Sequence, residues 1–236
     1  MKKIIVLNHK SYLKYDQAKT YPINVNNLIR NDQTVIICPS SIYIPYFKGK
    51  YSFKLGSQTI ESDNITGEIT GDILKSVEVK YVLIGTNDRK NVYEENSKQI
   101  NKRIKEAIKY NIRPIITIGE TFYEKELNKT LDVLTKKLKE YLKDIEVKQD
   151  IIINYSPNWS YQGKQVPKED YIYEVIDFIK NYIKRKYNVN IKVIYGGNIT
   201  KENILKLDKI KNIDGFLIDK PSTDINEITE MLNIIE

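Results

Sequence analysis

Tyr81-Val82-Leu83-Ile84-Gly85 and Pro114-Ile115-Ile116-Thr117-Ile118-Gly119 bracket a charged segment in which Ile100, Ile104, Ala107 and Ile108 recur at helical spacing. Apolar runs this short and this continuous fit strands buried on both faces of a parallel sheet. The stretch 81–119 therefore reads as strand, helix, strand. Outward from it the same pattern repeats. Ile4-Ile5-Val6-Leu7, Thr34-Val35-Ile36-Ile37-Cys38 and Ser52-Phe53-Lys54-Leu55-Gly56 precede it. Ile151-Ile152-Ile153-Asn154-Tyr155, Lys192-Val193-Ile194-Tyr195 and Gly215-Phe216-Leu217-Ile218 follow. Ile172, Val175, Ile176, Ile179 and Ile183 share one helix face, and Thr200 with Glu202 reads as an N-capped helix start.

Eight strands alternating with helices favour a closed (β/α)8 barrel, one domain over residues 1–236, above an open doubly wound sheet. No Gly-x-Gly-x-x-Gly follows the first strand, which weakens a dinucleotide alternative. In such a barrel the active site lies at the C-terminal strand ends. The mouth is then expected to hold Asn8, Lys10, Pro39, Ser40, Gln58, Thr86 to Asp88, Glu120, Ser156, Gly196 to Asn198, Asp219 and Lys220.

Composition narrows the classes. Hydrophobic content of 41% with 29% charged residues is that of an ordinary globular chain. The single cysteine, Cys38, cannot form an internal disulfide. Met1-Lys2-Lys3 is basic, but the apolar run after it stops at Leu7, too short for a signal peptide, and no segment approaches a membrane span. A cytoplasmic protein is expected. The net charge of +7 is spread along helices, as in Lys136-Lys137-Leu138-Lys139-Glu140, so a nucleic-acid partner is not expected.

Motifs at the strand ends sharpen this reading. Asn8-His9-Lys10, Cys38-Pro39-Ser40, Thr66-Gly67-Glu68, Ile84-Gly85-Thr86-Asn87-Asp88-Arg89-Lys90, Ile118-Gly119-Glu120-Thr121, Tyr155-Ser156-Pro157-Asn158-Trp159 and Tyr195-Gly196-Gly197-Asn198 occur in this order. Strand by strand they resemble triosephosphate isomerase, a glycolysis-related family of TIM barrels, over essentially the whole chain. The resemblance implies a homodimer without metal or cofactor. It also implies a catalytic set at Asn8, Lys10, Thr86, Asp88 and Ser156, and a ligand-binding set at Asn8, Lys10, Gly196, Gly197, Asn198, Asp219 and Lys220. A lid would be hinged at Pro157, Trp159 and Gly163, and an interface would be built from Thr66, Gly67, Glu68 and Arg89.

Two positions depart from the family pattern where its chemistry is done. Thr86 stands in place of the electrophilic histidine, and Ser156 in place of the glutamate base. A positioned base contributes about 10²–10⁴-fold and a lost electrostatic donor about 10²–10³-fold, together about 5–9 kcal/mol of barrier. The lone histidine, His9, lies between Asn8 and Lys10, so alternation turns it away from the mouth. Asp219 and Lys220 replace glycines that the family uses to approach phosphate. A carboxylate there repels an anion, Lys220 offsetting part of the charge. The lid tip and the loop 58–66 are also shorter than the family's.

Three functions compete. The first is a pseudoenzyme binding a small polar or anionic metabolite or a partner at the mouth. The second is an enzyme of altered chemistry on a sugar-phosphate-like substrate, using Lys10 and Asp88. The third is a weak or relocated isomerase. A homodimer weaker than the family's is expected, from the kept Glu68 and Arg89.

Overall fold

The computed structural model describes residues 2–163 and 165–235, with only the backbone of 161–163. Eight parallel strands close on themselves: β1 (Lys3–Asn8), β2 (Gln33–Cys38), β3 (Lys54–Ser57), β4 (Tyr81–Ile84), β5 (Arg113–Ile118), β6 (Ile152–Tyr155), β7 (Lys192–Tyr195) and β8 (Gly215–Ile218). Each pairs with its successor, and β8 returns to β1 with Ile5 opposite Phe216 and Leu7 opposite Ile218. Every strand lies where an apolar run predicts it, β3 starting at Lys54 rather than Ser52.

Alternation decides which side chain goes where. Val6, Ile36, Cys38, Leu83, Ile115, Ile152, Ile194 and Leu217 point inward and fill the barrel. Their neighbours Ile5, Leu7, Ile37, Val82, Ile84, Ile116 and Ile118 point outward into the layer beneath the helices. With both faces covered, the strands show no polar alternation. Each fully buried aliphatic side chain contributes about 1.5–3 kcal/mol relative to exposure.

The helix Ser97–Lys109 buries Ile100, Ile104 and Ala107, and Asn96 caps it with a reciprocal bond from Gln99. Ile108, expected on the same face, is 39% exposed because it falls on the flank of that stripe. All five apolar residues expected on the face of helix Glu169–Tyr187 are buried. The helix after β7 needs a correction: it spans Ile204–Asp208, and Thr200 is not its cap. The Asn203 side chain accepts from the Thr200 N–H at 2.9 Å and donates to the Asn198 carbonyl at 2.9 Å, winding the preceding residues into a turn. Among the described residues, no helix is long and apolar enough to cross a membrane.

Candidate functional site

The C-terminal ends of β1, β4, β5, β6, β7 and β8 converge on a small inner cavity. Asn8, Lys10, Thr86, Asn87, Asp88, Thr117, Asn154, Ser156, Gly196, Leu217 and Asp219 line its roughly 20 Å³. It shares Asn8, Lys10, Thr86 and Asp88 with a wider vestibule of about 300 Å³, to which Ser11, Ser40, Ser41, Gln58, Thr59, Arg89 and Tyr93 contribute.

Lys10 is the centre of the charge arrangement. Its backbone is left-handed (φ 46°), a conformation that costs a non-glycine residue about 1–2 kcal/mol. Its Nζ lies 2.8 Å from Asp88 Oδ2 and 3.4 Å from Asp219 Oδ2. Asn8 Nδ2 donates to the other oxygen of Asp219 at 2.8 Å. Burial pushes the Asp219 carboxyl above the usual carboxylate range, against the pull of Lys10 and Asn8. One ammonium therefore faces two carboxylates.

The two substituted positions hold hydroxyls without an activating group. Thr86 precedes the helix Asn87–Val92 and makes no capping bond with its side chain. Ser156 is 4% exposed. Its Oγ donates to the Gly196 carbonyl at 3.0 Å and accepts from Asn87 Nδ2 at 3.1 Å. No imidazole, amine or carboxylate bonds that hydroxyl among the described residues. Gly119 is required beside it, because any Cβ there would collide with the Ser156 carbonyl.

His9 turns outward, as alternation requires. It is 1% exposed and packs edge-on against Tyr21 at 4.4 Å and Phe47 at 5.7 Å. Burial pushes its imidazole down to about 3, so it is neutral at ordinary pH.

The lid base is fastened. Trp159 Nε1 donates to Glu120 Oε1 at 2.8 Å, and the hydroxyls of Tyr171 and Tyr155 reach the same carboxylate at 3.0 and 3.2 Å. Glu120 is wholly buried by this network and does not line the cavity, a correction to its expected place in the mouth. Pro157 leads into the short helix Asn158–Gly163, which Asn158 ties to Asn91 at 2.8 Å. Gly163 ends that helix, and the expected lid-tip side chains Tyr161 and Gln162 lie outside the described residues.

Other expected residues are not brought in. Lys220 is exposed at the start of the turn Lys220–Thr223 and does not line the cavity, so it is Lys10 that offsets Asp219. Of Gly196, Gly197 and Asn198, only Gly196 lines it; Gly197 packs on the Tyr195 hydroxyl, and the Asn198 carbonyl accepts from Asn203. Glu68 lies 3.9 Å from Arg89 within one chain, and Arg89 also meets Glu95 at 3.4 Å. That charge pair is satisfied without a second subunit, which removes it as a reason for a dimer. Thr66 and Gly67 are exposed beside it.

Three lining residues escaped the sequence reading: Thr117, Asn154 and Leu217. Asn154 carried a signal, a lone amide at an inward position of an otherwise apolar strand.

A sequence profile described as triosephosphate isomerase matches residues 3–235. Curated relatives agree. The chain is 31% identical to the triosephosphate isomerase of Wigglesworthia glossinidia brevipalpis, covering 100% of this chain and 97% of that one. It is 32% identical to that of Buchnera aphidicola subsp. Baizongia pistaciae, with 98% of each covered. With that of Mesomycoplasma hyorhinis it shares 28% identity over 99% and 98% of the two chains.

Proposed function

This chain belongs to the triosephosphate isomerase family, and we propose that it has lost the family's isomerase activity and binds a small polar metabolite at the barrel mouth. The observation that carries this reading is Ser156. Its hydroxyl is occupied by Asn87 and Gly196, and nothing bonded to it among the described residues can draw its proton away. A serine in that setting does not take a carbon-bound proton at neutral pH. Phosphate binding is weakened as well, because Lys10, the one lysine of the inner cavity among the described residues, is already held by Asp88 and Asp219.

Reversion tests the reading. Ser156→Glu alone is expected to leave turnover near background, since Thr86 still offers no electrophile. High turnover from that single change would contradict it. A second reading, altered chemistry using Lys10 and Asp88 on a sugar-phosphate-like substrate, draws support from their 2.8 Å contact. Turnover of any such substrate that Lys10→Met abolishes would favour it over the first.

The protein is further proposed to be a cytoplasmic homodimer, one domain over 1–236, without a nucleic-acid partner. Exposed apolar side chains support self-association: Ile42, Ile65, Val92 and Tyr93 are 77%, 53%, 71% and 70% exposed, and Tyr93 lines the vestibule. Sedimentation equilibrium at micromolar concentration decides this; a clean monomer mass removes the dimer.

A further inference from the structure

We infer that the ligand of this mouth is a small hydroxylated primary amine, its ammonium seated in the inner cavity and its hydroxyls in the vestibule. The inference rests on the mouth being a ligand site, and adds what class of molecule it takes.

Charge is the first reason. Among the described residues the inner cavity is lined by one cation, Lys10, and two anions, Asp88 and Asp219. Arg89 lines the vestibule, but its guanidinium is engaged by Glu95 and Glu68 and stacked on Tyr93. An incoming anion meets two carboxylates; an incoming cation meets complementary potential.

An unfilled acceptor is the second and independent reason. Asn154 is 2% exposed, and its Nδ2 donates to Thr117 Oγ1 at 3.1 Å. Among the described residues its Oδ1 has no hydrogen-bond partner, and it lies against Gly196 in the cavity lining. A buried carbonyl oxygen left unpaired carries a desolvation cost that a donor relieves. An ammonium supplies three donors and no acceptor, which matches a cavity of carboxylate and amide oxygens.

Size is the third. About 20 Å³ admits one water-sized group, the size of an ammonium. The vestibule of about 300 Å³ offers hydroxyls at Ser11, Ser40, Ser41 and Thr59 and the Gln58 amide, partners for hydroxyl groups rather than for an alkyl chain.

The test is a titration of the full-length protein, followed by backbone NMR, with 3-amino-1,2-propanediol, glycerol and glycerol 3-phosphate. These share a skeleton and differ in charge. The inference expects saturable shifts at Asn8, Asn154 and Gly196, with the amine at least about tenfold tighter than either other probe. Asp219→Asn should weaken the amine and strengthen the phosphate. Asp88→Asn, at a more exposed carboxylate, provides the same reading should the first variant not fold. Glycerol 3-phosphate binding tighter than the amine, or an amine with no saturable shift at those residues, overturns the inference. Isomerase turnover measured on the same sample reports separately on the loss of activity. An inactive protein that ignores the amine sinks only the ligand class, whereas an active one sinks the parent reading.

Discussion

The lid base and the floor of the mouth are built from neighbouring strand ends, yet their polar groups are settled in opposite ways. At the expected lid base a single carboxylate, Glu120, receives donors from Trp159, Tyr155 and Tyr171, and of these Glu120, Tyr155 and Trp159 resemble the family pattern. At the floor, one ammonium is divided between two carboxylates and Asn154 Oδ1 is left unpaired. The first arrangement is what packing holds together; the second is what the proposed ligand would complete. Residues kept for packing therefore say little about retained chemistry, and the resemblance to an active enzyme is strongest where no chemistry is done.

The comparison breaks most visibly if the lid base proves soft. Glu120→Leu removes the buried acceptor of Trp159, Tyr155 and Tyr171 and should destabilise the fold by about 3 kcal/mol, read from the midpoint of urea unfolding. A loss below about 1 kcal/mol would show that water reaches the network.

His9 gives the next largest effect, its ring turned outward from the barrel. Its folded value is about 3 against 6.5 in the unfolded chain. As pH falls below 6.5 the unfolded chain binds a proton that the folded one refuses, so stability is whole above 6.5 and declines towards 3. The slope approaches about 1.4 kcal/mol per pH unit. Unfolding free energies at pH 7, 6 and 5 should follow it, and His9→Phe should flatten the curve over that window.

At the floor, Asp219→Asn should raise glycerol 3-phosphate affinity by about tenfold, near 1.4 kcal/mol, by calorimetry. No change would mean that the carboxylate does not govern anion entry. The smallest effect belongs to the half-exposed Glu68–Arg89 pair: Glu68→Ala should cost less than about 1 kcal/mol in thermal denaturation. A larger loss would restore the pair's importance and reopen the interface argument.

All eight strands were legible because burial on both faces leaves an unbroken apolar run. The helix face of 172–183 was legible for the same reason on one side. Thr200 misled, since its hydroxyl resembles a cap while the Asn203 side chain, three residues on, organises the turn. Lys220 misled through adjacency: alternation and the turn after β8 send it to solvent while Asp219 faces inward. The pairing of Lys10 with Asp219 joins opposite ends of the chain and depends on β8 closing against β1. Asn154 was visible as an amide among isoleucines, but only its missing partner makes it informative.

The central claim is that a barrel with this family's frame no longer interconverts triose phosphates. Its most direct test is the turnover of purified wild-type protein on glyceraldehyde 3-phosphate and on dihydroxyacetone phosphate, prepared from a host lacking its own isomerase. Activity indistinguishable from the buffer blank is expected. A turnover within about tenfold of the enzyme median, itself on the order of 10 per second, would contradict the account.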